Sequence, residues 1–122
     1  MIFIESILFE KRVKKLLTED DLREFQNELI ENPKKGDVIQ GTGGLRKARI
    51  KSSKRQKGKR GGNRVICLYI EFLSHMHLLY IYGKDEESDL STEERKELKE
   101  IAESIKTAAK KSKEQKKCQK KK

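Results

Sequence analysis

From residue 46 to residue 64 the chain carries ten lysines or arginines and no acid, mixed with glycine and polar residues as in "IKSSKRQKGKRGGNRV" (50–65). A loop that only joined two strands would be shorter and nearly neutral. Each Lys or Arg that neutralises a phosphate releases condensed counterions, so this run suits a polyanion. The chemistry within its reach is the cutting of RNA through its own 2′-hydroxyl. That reaction needs a base for the hydroxyl, charge stabilisation on the phosphate and a proton for the leaving oxygen. Closely packed lysines lower one another's pKa by repulsion, which fits one of them for proton transfer near neutral pH. Arginine stays protonated and can hold phosphate through two N–H groups. The same residues would also make a surface that only binds, and a solvated charge run is the plainest alternative.

A second basic segment, 106–122, carries nine Lys and one Glu. The two segments together hold +18 against a chain total of +10, which leaves −8 for everything else. Charge is therefore polarised, as expected of a protein that meets nucleic acid at one surface. For the tail, a solubility-conferring charge run is an equally good reading.

With 122 residues the chain has room for one domain, and with 41% charged and 34% hydrophobic residues part of it stays outside the core. Cys67 lies in an apolar run and Cys118 in the lysine tail, with no C-x-x-C pair. Neither a disulfide scaffold nor a zinc site is supported, and no cofactor is expected. "MIFIESILFEKR" lacks the basic leader and long apolar core of a signal peptide, and no segment reaches membrane-spanning length. A cytoplasmic protein with no membrane partner is expected.

The elements that must position the basic run follow from periodicity. "IFIE" (2–5) reads as a short strand, and Phe9, Val13, Leu16 and Leu17 have helical spacing within 7–17. In 18–33 Thr18 can cap, three acids suit the positive helix end, Leu22, Phe25, Leu29 and Ile30 form a stripe, and Pro33 stops the helix. Residues 34–44 form a glycine-rich connection. Three strands are predicted next, at 45–52, 64–73 and 77–84; the second is apolar at both parities, as a central strand covered on much of both faces would be. Residues 91–111 open with a capping box, Ser91 and Glu94, and carry apolar residues at helical spacing. Residues 112–122 lack apolar periodicity and are expected to form a disordered lysine-rich tail behind a domain of 1–111. The order β-α-α-β-β-β-α, with about four mainly antiparallel strands and helices packed on one face, is an α+β domain.

A meander of the last three strands puts the loop 53–63 and the end of strand 77–84 at one edge. Tyr82 and Lys84 then converge on Lys59, Arg60, Arg64 and the face bearing Lys47, Arg49 and Lys51, where Tyr82 could stack on a base or assist proton transfer. His75 and His77 fall on the turn at the opposite end, too far away to serve as acid or base; without nearby Cys or acids they read as a solvated turn rather than a metal site. "GTGGLRK" (41–47) precedes a strand, not a helix, so it is a flexible connection rather than a phosphate-cradling loop.

Taken together, "GGLRKARIKS", "KGKRGGNRVI" and "LLYIYGKDEESDLS" resemble the RelE/HigB toxins of type II toxin–antitoxin systems, most closely the HigB-like branch. The likeness covers roughly residues 1–108 and leaves out the lysine tail. It implies a RelE-like fold and a metal-independent, ribosome-dependent endoribonuclease that cuts mRNA in the ribosomal A site. It also implies a cognate HigA-like antitoxin with a helix-turn-helix domain, which masks the toxin and represses their shared operon; operator DNA is then met only through the antitoxin. By position the strand lysines of such toxins fall on Lys47 and Arg49, and the arginine opening the next strand on Arg64. After "GK" an arginine is replaced by Asp85, and a later tyrosine by Ser91, which leaves Tyr82 and Lys84 to take over part of the acid–base work. The implied catalytic set is Arg64, Lys47, Arg49, Tyr82 and Lys84. RNA and ribosome contact falls to Arg46, Lys51, Lys54, Arg55, Lys57, Lys59 and Arg60.

Two other functions fit parts of this pattern. ParE-type toxins share the fold and act on DNA gyrase, although the dense basic strand-and-loop face favours RNA. A non-enzymatic RNA- or ribosome-binding protein would need the same charges without the exact geometry.

Overall fold

The segment that is apolar at both parities becomes the middle of a sheet. A computed structural model describes residues 1–51, 62–83 and 91–120, with side chains as far as Ser112. In chain order they form β1 (Ile2–Glu5), α1 (Ile7–Leu16), α2 (Glu19–Glu31), β2 (Asp37–Val38), β3 (Arg46–Ile50), β4 (Asn63–Ile70), a 3-10 turn (Glu71–Leu73), β5 (His75–Gly83) and α3 (Thr92–Lys120). One mixed sheet has the order β1-β5-β4-β3-β2. The expected meander of β3, β4 and β5 is antiparallel, whereas β1 lies parallel to β5 at the edge. The domain is α+β, as expected.

Two details of that expectation are corrected. The sheet has five strands rather than about four, because the glycine-rich connection contributes β2. Two residues are too few to display an alternating pattern. The helices also cover both faces rather than one. Phe9 and Val13 of α1 and Phe25 and Leu29 of α2 pack with Ala48, Val65 and Cys67 on one face. Leu98, Ala102 and Ala109 of α3 pack with Leu45, Ile66 and Leu68 on the other. Since β4 is apolar on both sides, each face needs its own cover.

Local signals place the helices. Thr18 accepts a hydrogen bond from the Asp21 amide while the Asp21 carboxylate accepts one from the Thr18 amide, and Ser91 and Glu94 close the same reciprocal box before α3. Ser6 caps α1. The backbone of α3 stays helical to Lys120, well past Ala109, its last packed residue among those described. Lys106 of α3 donates to the Gly43 carbonyl, tying the helix to the loop that leads into β3. Cys67 is the core residue expected; burial pushes its thiol up to about 12. Among the described residues no helix is long and apolar enough to cross a membrane.

Candidate nucleic-acid interface

Side chains of a strand alternate between faces. With Ala48 and Ile50 drawn under α1 and α2, Lys47 and Arg49 must stand on the α3 face. On β4 the residues sharing that face are Arg64, Ile66, Leu68 and Ile70, and the last three are packed in the α3 cluster. Arg64 sits at the end of β4 away from that apolar run. Register then brings the candidates side by side. Arg49 lies directly opposite Arg64, and Arg64 directly opposite Tyr82. Lys47 is flanked by Ile66 on β4 and by Asp37 on β2. Arg49 and Lys51 are exposed, while Lys47 and Arg64 are half-buried.

Not every candidate joins this row. Arg46 has the opposite parity and donates to the Gly36 carbonyl at 3.0 Å, so its guanidinium clips β3 to the start of β2. Lys54, Arg55, Lys57, Lys59, Arg60 and Lys84 lie outside the described residues. Tyr82 is in the row but is 1% exposed, so in this conformation it is a packed neighbour of Arg64 and not an open stacking surface. Ser91, at the position where the resemblance sets a tyrosine, serves as the cap of α3.

The geometry around Arg64 holds it from below. Its Nη1 lies 3.2 Å from the Gly62 carbonyl and 3.4 Å from that of Asn63. Asn63 itself is fully buried and donates its amide to the Leu16 carbonyl at the end of α1, 3.5 Å away.

Two arginines opposite each other on paired strands repel, and among the described residues no carboxylate stands across from either in the register. Arg49→Thr is accordingly expected to raise the stability of the free protein by roughly 0.2–1 kcal/mol, by removing like-charge repulsion and adding a good strand former. Thermal melts in low salt would read the gain, and a loss of stability would mean that the pair is held together by something other than external anions.

Sequence reasoning passed over two residues that the structure brings to this row. Asp37, read as part of a connection, is the cross-strand neighbour of Lys47. Arg12, one of four cations lying between the apolar residues of 7–17, sends its Nε to the Ile81 carbonyl at 2.7 Å and sets its guanidinium 5.0 Å from the centre of the Tyr80 ring. Tyr80 in turn stacks on Tyr82, with centroids 5.7 Å apart and planes at 29°. Nothing in the spacing of 7–17 marks Arg12 apart from Lys11, Lys14 and Lys15; its partner strand is known only once β5 is placed.

The histidines are at the far end, as expected, but within β5 rather than on the turn. Ser74 takes the left-handed turn conformation, φ 52°, and His75 already pairs with Ile70. Among the described residues no cluster of His, Cys, Asp and Glu could hold a metal ion. Burial, and secondarily the charge of His75, lower the pKa of His77. A folded-state pKa below the unfolded value favours folding fully above pH 6.5 and progressively less as the pH falls through that value. Melting temperature should therefore drop between pH 7 and pH 5.5, and His77→Gln should flatten that slope; an unchanged slope would assign the acid sensitivity elsewhere.

The sequence that builds this sheet has a counterpart among known families. The family model described as the RelE toxin of the RelE/RelB toxin–antitoxin system matches residues 2–121, nearly the whole chain. A toxin of this kind is made together with an antitoxin partner, and its family generally acts by cleaving RNA and stopping translation. The chain therefore belongs to the RelE toxin family.

Proposed function

We propose that this toxin is a metal-independent endoribonuclease that enters the ribosomal A site in the cytoplasm and cuts mRNA through its own 2′-hydroxyl. The observation that carries the reading is the facing pair Arg49 and Arg64, two arginines held in register on the α3 side of the sheet, beyond its apolar cluster, with no carboxylate across from either among the described residues. In that role Arg64, the better buttressed of the two, stabilises charge on the scissile phosphate, and Arg49 steers and holds the chain. Lys47 is close enough along β3 to take part in proton transfer, and Lys84, just beyond β5, shares that work. Tyr82 supports Arg64 from the neighbouring strand. Lys51 and the basic run 54–60 extend the contact along RNA or ribosome, and residues 112–122 add a further electrostatic contact behind a catalytic body of 1–111. An antitoxin of the HigA-like, helix-turn-helix type would neutralise this toxin and carry the pair to operator DNA.

Primer extension on a defined mRNA, with and without programmed ribosomes, tests the reading. Cuts at A-site codons only when ribosomes are present are expected. Cuts in free RNA would make the protein a ribosome-independent ribonuclease. An absence of cuts in both lanes would overturn the nuclease reading and favour gyrase inhibition or ribosome binding alone.

A further inference from the structure

We propose that Arg12 is a positioning residue for the catalytic face, one that locks the Tyr80–Tyr82 stack and through it the place of Arg64. The proposal rests on the RNA-cleaving role assigned to that face above. Its structural half stands apart from that role.

The starting point is an edge. β1 pairs with β5 only as far as Glu5 opposite Leu78, so among the described residues the outer edge of β5 beyond that point has no strand beside it. Its carbonyls are met by side chains instead. Ser6 Oγ donates to Leu79 at 2.7 Å and Arg12 Nε donates to Ile81 at 2.7 Å. Lys11, Lys14 and Lys15 on the same helix are exposed, but Arg12 is half-buried, turned against the strand. It also crosses from one face of the sheet to the other. α1 docks through Phe9 and Val13 on the face opposite α3, whereas the Tyr80 ring beneath the Arg12 guanidinium is packed against the α3 cluster.

From there the row continues, first by ring contact and then by cross-strand register. Tyr80 stacks on Tyr82, Tyr82 stands opposite Arg64, and Arg64 stands opposite Arg49. Five side chains from α1, β5, β4 and β3 thus form one row, with Arg12 at its closed end and Arg49 at its exposed end. Tyr82 is too deeply buried to meet RNA itself. Its contribution is to hold the β5 position directly opposite Arg64 in place. The planar guanidinium is suited to the closed end because its flat face can lie over a ring while its rigid fork of N–H groups donates in plane, whereas a lysine ammonium is a compact point charge on a flexible stem and would hold the ring less firmly.

The protein has three tyrosines and no tryptophan, so its near-UV circular dichroism reports these rings directly. Tyr69 packs against the opposite face and is common to all variants. Arg12→Met should keep the far-UV spectrum and ribosome binding close to wild type, lose much of the near-UV tyrosine band, and slow single-turnover cleavage at saturating ribosome by about tenfold to a hundredfold. Arg12→Lys should recover melting temperature but neither the band nor the rate. A band and rate untouched in Arg12→Met would overturn the proposal, as would a lost band with an unchanged rate. Should Arg12→Met fail to fold, Tyr80→Leu keeps the bond to Ile81 and carries the same test: a rate equal to wild type would overturn it. If wild type itself does not cut RNA, the cleavage reading fails, and the near-UV band alone decides whether Arg12 locks the tyrosine pair.

Discussion

Arg64→Ala is expected to slow A-site cleavage by about 10²–10³-fold, the scale on which losing one preorganised charge-stabilising donor acts. Ribosome association should weaken only a few-fold, because the remaining cations of the face and the basic segments still supply most of the counterion release. Misfolding would not explain such a loss. Removing Arg64 gives up its hydrogen bonds to the Gly62 and Asn63 carbonyls but relieves its repulsion with Arg49, so the variant should stay folded and melt within a few degrees of wild type. Arg64→Lys should fall between the two, since an ammonium keeps the charge but cannot grip a phosphate through two parallel N–H groups. Rates from single-turnover cleavage, set beside binding isotherms at matched salt, separate the cases. A rate that falls only in proportion to binding would make the face an RNA-binding surface without catalysis.

Gly36→Ala should be the most destabilising single-methyl change in the sheet. Gly36 has φ 96°, and a Cβ there would stand 2.5 Å from the Lys47 carbonyl oxygen, 2.9 Å from its carbon and 3.0 Å from the Ala48 Cα. Those are backbone atoms of β3 and cannot swing aside as a flexible side chain would. Left-handed strain and overpacking together suggest a cost of roughly 2–5 kcal/mol, offset by about 0.4–1 kcal/mol from the stiffer unfolded chain. The net cost corresponds to a fall of about 4–18 °C in melting temperature. Gly41 is the internal control. It has a similar φ of 77° but nothing within 4 Å of where an added methyl would stand, so Gly41→Ala should cost only about 1 kcal/mol. Because the strand displaced by Gly36→Ala is the one bearing Lys47 and Arg49, cleavage should suffer beyond the loss of folded protein. Equal melting temperatures for the two variants would mean that β2 and β3 are not held at this spacing.

How far the chain could be read in advance depended on whether the signal was local. The reciprocal caps at Thr18 and Ser91, the apolar stripe of α2 and the two-sided apolar run of β4 are all short-range patterns, and each marks its element where the structure has it. The meander followed from short connections, which is why Lys47, Arg49, Arg64 and Tyr82 could be grouped before the fold was known. What escaped was decided by partners far away in the chain. β2 exists only because β3 offers it a ladder, and Asp37 meets Lys47 only through that ladder. Arg12 has the same neighbours in sequence as any solvated lysine of α1, and acquires its role from a carbonyl 69 residues further on. The burial of Tyr82 likewise reflects a cluster completed by α3 and could not be inferred from a strand that alternates poorly at its end.

The parallel contact between β1 and β5 has a temporal meaning. The first strand to be synthesised takes its place in the sheet beside the last, with the whole of β2, β3 and β4 made between them. A nascent chain that ends before His75 has nothing to pair with Ile2–Glu5, and lacks the strand that places Tyr82 beside Arg64. Loop closure over so many residues must come late in folding. The cross-strand row of Arg49, Arg64 and Tyr82 is thus complete only once β5 has joined the sheet.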